Sequence, residues 1–196
     1  MAATNEELIQ TILQSLEKVE YIKSEDIPNI DLYMDQVLTF MDRKLRSAVR
    51  SRTEDRILTK TMINNYAKND LLPPPVKKKY SKEHVLTLIF IYYFKNLLSI
   101  TDIQALLKPL TEKYFKNDKD FGMEEVYKEV FSLEKGELEK LQKDMEEKYA
   151  VSQETFKDAP EEDREFLQLF SFICILAFDT YMKKTLIEKL VDSLNS

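Results

Sequence analysis

Residues 58–107 read LTKTMINNYAKNDLLPPPVKKKYSKEHVLTLIFIYYFKNLLSITDIQALL, and their order decides the fold. Thr59 can accept hydrogen bonds from the free amides of a first helical turn, so a short helix is predicted over Lys60 to Asn69. On it Met62, Ile63 and Tyr66 face inward, while Lys60, Thr61, Asn64, Asn65 and Lys68 face out. Asn69 tolerates the left-handed conformation that ends a helix, and Pro73 to Pro75 forbid its continuation. A basic loop follows, with Lys77, Lys78, Lys79 and Lys82 around Tyr80. Ser81 with Glu83 or His84 then opens a long apolar helix ending near Leu98. Ser99 caps a short one to Leu107, which Pro109 limits.

Outward from this block the chain reads as helix nearly everywhere. Leu8, Ile9, Ile12, Leu13, Leu16 and Val19 give Glu6 to Tyr21 a stripe at helical spacing. After the break SEDIPNID, with Asn29 or Asp31 suited to start a helix, Met34, Val37, Leu38, Met41 and Leu45 repeat the pattern. That second helix trails into the basic run RKLRSAVRSRTEDR. Val126 to Phe131 and Leu138 to Met145 mark two further segments divided near Gly136. DAPEEDRE begins a last helix with Asp158 as N-cap, and nothing breaks it before Leu194, a run of about 50 Å. Its first half is apolar on nearly every side, which predicts burial from several directions.

The chain has 196 residues, 43% apolar and 33% charged, with two glycines and six prolines, so few tight hairpins are available. A formal charge of −6 hides an asymmetry: Asp42 to Lys82 carries 12 Lys/Arg against 4 Asp/Glu, and the remainder 17 against 31. Such a segment is either a docking site for a polyanion or a solvated basic face. The lone Cys174 excludes an internal disulfide and any cysteine-cluster metal site. The start MAATNEELIQ lacks the features of a signal peptide, and the apolar run Phe166 to Phe178 covers 13 residues where a span needs about 20. A soluble cytoplasmic protein with no membrane is expected.

Enzymatic chemistry finds no footing. His84, the single histidine, sits at a helix start and reads as a surface or capping residue. No Gly-rich phosphate loop, nucleophile elbow or histidine-rich metal spacing occurs, and NDKDFGMEE places Met123 where a calcium loop requires glycine. Neither catalytic residues, nor a metal, nor a cofactor are expected.

The block does suit a DNA reader. Asparagine can pair with adenine through two hydrogen bonds, and lysine serves phosphate or guanine. TMINNYAKNDLLPPPVKKKYSKEHVLTLIFIYYFKNLLSITDIQALL resembles the winged-helix domain of the MerR family of bacterial transcription regulators. The resemblance puts Ile63 and Tyr66 on a recognition helix, with Asn64 where the family has a DNA-contacting arginine. Lys78, Lys79 and Tyr80 fall on the wing, Phe90 and Ile91 in the supporting helix, and Ser99, Ile100 and Ile103 in the last short helix. Asp70 stands where the family has glycine. The whole chain also resembles a bacterial family of unknown function that carries this block behind an N-terminal helical arm.

The resemblance implies an all-α fold with a minimal β wing at most: an arm over 1–30, a winged helix-turn-helix over 31–110 and a C-terminal helical region over 111–196. Together with the chemistry of the outward residues it implies double-stranded DNA as partner, contacted by Lys60, Thr61, Asn64, Asn65, Lys68, Lys77, Lys78, Lys79, Tyr80 and Lys82. A homodimer through the terminal helix is implied too, although that helix can equally serve its own domain. Two alternatives stay open. One is a non-enzymatic interaction module that keeps the shape without binding DNA; the other is a small-molecule sensor with a pocket lined by Phe166 to Phe178.

Overall fold

The computed structural model describes residues 4–16, 21–46, 57–116 and 121–194. Most of the basic run after the second helix, residues 47–56, lies outside them. The fold is all-α: eight α-helices, one 3₁₀ turn at Ser24–Asp26 and one short antiparallel ladder among the described residues. They are α1 (Asn5–Leu16), α2 (Met34–Leu45), α3 (Lys60–Lys68), α4 (Lys82–Phe94), α5 (Ile100–Tyr114), α6 (Met123–Ser132), α7 (Glu134–Gln153) and α8 (Glu161–Leu194). Strands β1 (Leu32–Tyr33) and β2 (Lys79–Tyr80) pair with Leu32 opposite Tyr80 and Tyr33 opposite Lys79.

The chain divides into two compact units, Met1–Glu20 with Leu133–Ile187, and Tyr21–Ser132 with Glu188–Ser196. These cuts differ from boundaries at 30 and 110 for a packing reason. Tyr127 and Phe131 of α6 pack edge-on or tilted against Phe90 and Tyr93 of α4, which keeps α6 with the central block. Ile9 and Leu13 of α1 instead form a core with Phe172, backed by Leu16, Met145, Tyr149 and Leu176.

In the larger unit α4 is the central rod. His84 to Tyr92 are all buried, so the helix is covered on every side, as an all-round apolar sequence demands. Val37, Met41 and Leu45 of α2, Ile63 of α3 and Ile103 and Leu107 of α5 complete that unit's core. The Tyr127 hydroxyl donates to the carbonyl of Ile22, tying the entry segment to α6.

Several element ends depart from expectation. Tyr33, not Asn29 or Asp31, is the N-cap of α2, and its N–H donates to Gln36 Oε1 at 2.8 Å. α4 stops at Phe94 rather than near Leu98. α5 runs through the exposed Pro109 to Tyr114, because at a wet position water can take the carbonyl that the ring leaves free. The break between α6 and α7 falls at Leu133, and Gly136 lies inside α7.

The largest correction concerns α8. Its first half is not buried from several directions: Phe166 is 68% exposed and Phe178 68%, with Phe170 and Ile173 more than half exposed. Only one side, carrying Phe172 and Leu176, packs against α1 and α7. Those outward rings therefore line no enclosed pocket. By length and composition α8 is also long and apolar enough to cross a membrane.

Candidate nucleic-acid interface

The helix predicted over Lys60 to Asn69 forms as α3, and Thr59 Oγ1 accepts from the Met62 N–H at 3.1 Å. Ile63 and Tyr66 are buried, which fixes the rotation of the helix. Lys60, Thr61, Asn64, Asn65 and Lys68 consequently all stand exposed on its other side.

The end of α3 carries a Schellman-type arrangement. Leu71 N–H donates to Tyr66 O at 2.9 Å and Asp70 N–H to Ala67 O at 3.4 Å. The left-handed residue is Asp70 at φ 54°, whereas Asn69 stays at φ −100°. Asn69 contributes differently: its side-chain amide donates to Asn65 O at 2.8 Å. Leu71 and Leu72 then plug into the core, each 1% exposed.

The basic loop closes as a hairpin. Val76 N–H donates to Lys79 O at 3.1 Å, and Lys79 N–H returns to Val76 O at 2.9 Å. The two residues between them, Lys77 (φ 50°) and Lys78 (φ 64°), are both left-handed, as a type I′ turn requires. Such turns favour Asn-Gly, and each lysine here costs about 1–2 kcal/mol of backbone strain. Both side chains are exposed.

The α2 N-terminus holds α3 and the hairpin near one another. Lys60 Nζ pairs with Asp35 at 2.7 Å, and Lys79 pairs through the ladder with Tyr33. Lys79 Nζ also lies over the Tyr33 ring, 5.2 Å from its centre. Tyr33 is 54% exposed, so an aromatic face joins this basic surface. Sequence reading missed Tyr33 and Asp35, because nothing local marks a residue whose partner is distant in the chain.

Two of the expected contact residues serve the interior instead. Tyr80 is 3% exposed and meets His84 edge-on, with burial pushing its hydroxyl pKa up. Its ring fills the seat beneath the hairpin and presents no face to a ligand. Lys82 reaches Glu124 Oε2 at 2.9 Å and is mostly covered. Glu124 also accepts from Ser24 Oγ at 2.6 Å and pairs with Lys128 at 2.8 Å. Burial raises the Glu124 pKa, but hydrogen bonds from Lys128, Ser24 and Lys82 outweigh that and hold it at about 2.

His84 is a capping residue but not a surface one. It is fully buried, between Tyr80 and Phe115. Among the described residues no group of three histidine, cysteine, aspartate or glutamate side chains is placed to hold a metal.

Residues 22–130 match the family model described as a domain of unknown function, DUF1836. No curated protein and no solved structure matches the chain.

Proposed function

The chain belongs to the DUF1836 family, and we propose that it is a cytoplasmic regulator of transcription that binds duplex DNA with a winged helix-turn-helix. In this reading α3 lies in the major groove, where Asn64 and Asn65 face base edges and Lys60 and Lys68 meet phosphate or guanine. Lys77 and Lys78 reach across to the flanking backbone from the hairpin tip, with Lys79 and Tyr33 behind them. The tip itself carries the proposal. An acidic protein that keeps two lysines in left-handed positions, where Asn-Gly would relax the chain, retains strain that the fold does not need.

Fluorescence anisotropy with random-sequence duplexes across a salt series tests the idea. Five exposed or half-exposed lysines give an expected slope of log K against log salt of roughly −4 to −5. Absence of binding at low salt, or binding without a slope, overturns it.

A second reading has its own observation. Lys60 is already engaged by Asp35, and Tyr80 and Lys82 are turned to the interior, which thins the surface available to phosphate. A protein-interaction module retaining this shape would then bind its partner independently of salt. Lys78→Glu with Lys79→Glu would leave that partner bound while abolishing any DNA complex.

A further inference from the structure

The outward side of α8 carries a large apolar face. Phe166, Phe170, Ile173 and Tyr181 are between 51% and 68% exposed, and Phe178 and Met182 flank them at 68% and 65%. With Ala177, the first four project within a sector of about 80° at 3.6 residues per turn. Phe166 and Phe170 already stack, with centroids 6.4 Å apart. At these exposures each large side chain presents on the order of 100 Å², so the six exceed the patch a soluble monomer ordinarily leaves open.

The order of residues along the face says what covers it. The pattern is nearly symmetric about the point between Ile173 and Cys174. Phe166 lies as far before it as Tyr181 lies after it, Phe170 as Ala177, and Asp163 as Lys184. We infer that this face pairs with the same face of a second copy, the two α8 helices antiparallel about a twofold axis crossing between Ile173 and Cys174.

In that arrangement Phe166 meets a tyrosine, Phe170 fits over the small Ala177, and Asp163 faces Lys184 at both ends. A parallel pair would instead set Asp163 against Asp163 and leave two Ala177 facing a gap. Two copies together withdraw roughly 1,200 Å² from water, enough for a specific interface. A bilayer fits less well, because Asp179 lies within the apolar stretch and forms ion pairs with Lys148 and Lys183. This inference does not depend on DNA binding.

Sedimentation of the full chain is expected to give a dimer. Phe170→Glu changes an exposed position and should yield a monomer of unchanged helix content, with Ile173→Lys as a second variant to the same end. Lys184→Glu should weaken the dimer about tenfold or more, and adding Asp163→Lys should restore it. Orientation is read with Cys174→Ser as background. Asp163→Cys and Lys184→Cys chains should crosslink when mixed but not alone, because an antiparallel pair holds like positions about 30 Å apart. A monomeric wild type, crosslinking of Asp163→Cys to itself, or flotation with phosphatidylglycerol vesicles in place of dimerisation would each overturn the inference.

Discussion

The backbone N–H of Ser81 donates to Nδ1 of His84 at 2.9 Å, so the first free amide of α4 is satisfied by an imidazole that water does not reach. Nδ1 must be unprotonated to accept that bond. Nε2 is buried as well and meets no partner at hydrogen-bond geometry. Burial pushes the pKa below the ordinary 6.5, the Pro74 carbonyl and Glu83 pull it back up, and Lys116 lowers it further.

A pH dependence of stability follows from that histidine. Below pH 6.5 the unfolded chain takes up a proton that the folded chain resists, so stability is complete above 6.5 and falls as pH drops toward the folded value. Urea midpoints between about pH 7.5 and about pH 5 should decline on the acid side. His84→Gln keeps an acceptor at the third helical position and should flatten that slope while lowering stability throughout. An unchanged slope in the variant would assign the effect to another group.

Asp70 offers a test of the Schellman-type turn. Its φ of 54° is strained for any side chain, and the neighbouring bonds from Leu71 and Asp70 need that conformation. Asp70→Gly should stabilise the protein by about 0.5–1 kcal/mol, part of the relief being offset by a freer unfolded chain. Thermal unfolding reads it directly.

The all-α fold and the face of α3 were legible in the sequence because their signals are local. Thr59 as cap and the spacing of Ile63 and Tyr66 fix which side chains point out. β1 was not legible: two residues, Leu32 and Tyr33, carry no periodicity, and their pairing is defined by Lys79 and Tyr80 far along the chain. The inward turn of Tyr80 and the capture of Lys82 by Glu124 depend on the same long-range packing. For α8, apolar composition specified a need for cover but not whether the chain itself would supply it.

Glu124 predicts a second, more acidic transition. Its folded pKa of about 2 lies well below the ordinary 4.5, so the unfolded chain binds a proton first as pH falls. The stability this carboxylate contributes is complete above 4.5 and is lost between 4.5 and 2. Discounted for a side chain about one-third exposed, the contribution is about 1–2 kcal/mol. Glu124→Gln should lower stability by that amount at neutral pH and narrow its difference from wild type near pH 3, measured by urea unfolding.

The hairpin tip separates stability from binding. Lys77→Asn with Lys78→Gly supplies the residues that a type I′ turn prefers and removes two exposed cations. The double variant should unfold later in urea, by about 1–2 kcal/mol, less than the roughly 2–4 kcal/mol of strain because asparagine keeps part of it and glycine frees the unfolded chain. The same variant should bind duplex DNA more weakly, with a salt slope smaller by about two. A single replacement at Lys78 should move both quantities in the same directions by about half. Stability and affinity changing in opposite senses is the signature of strain retained for a ligand. If the variant gains stability and its salt slope is unchanged, the lysines play no part in DNA binding and the hairpin cannot be its clamp.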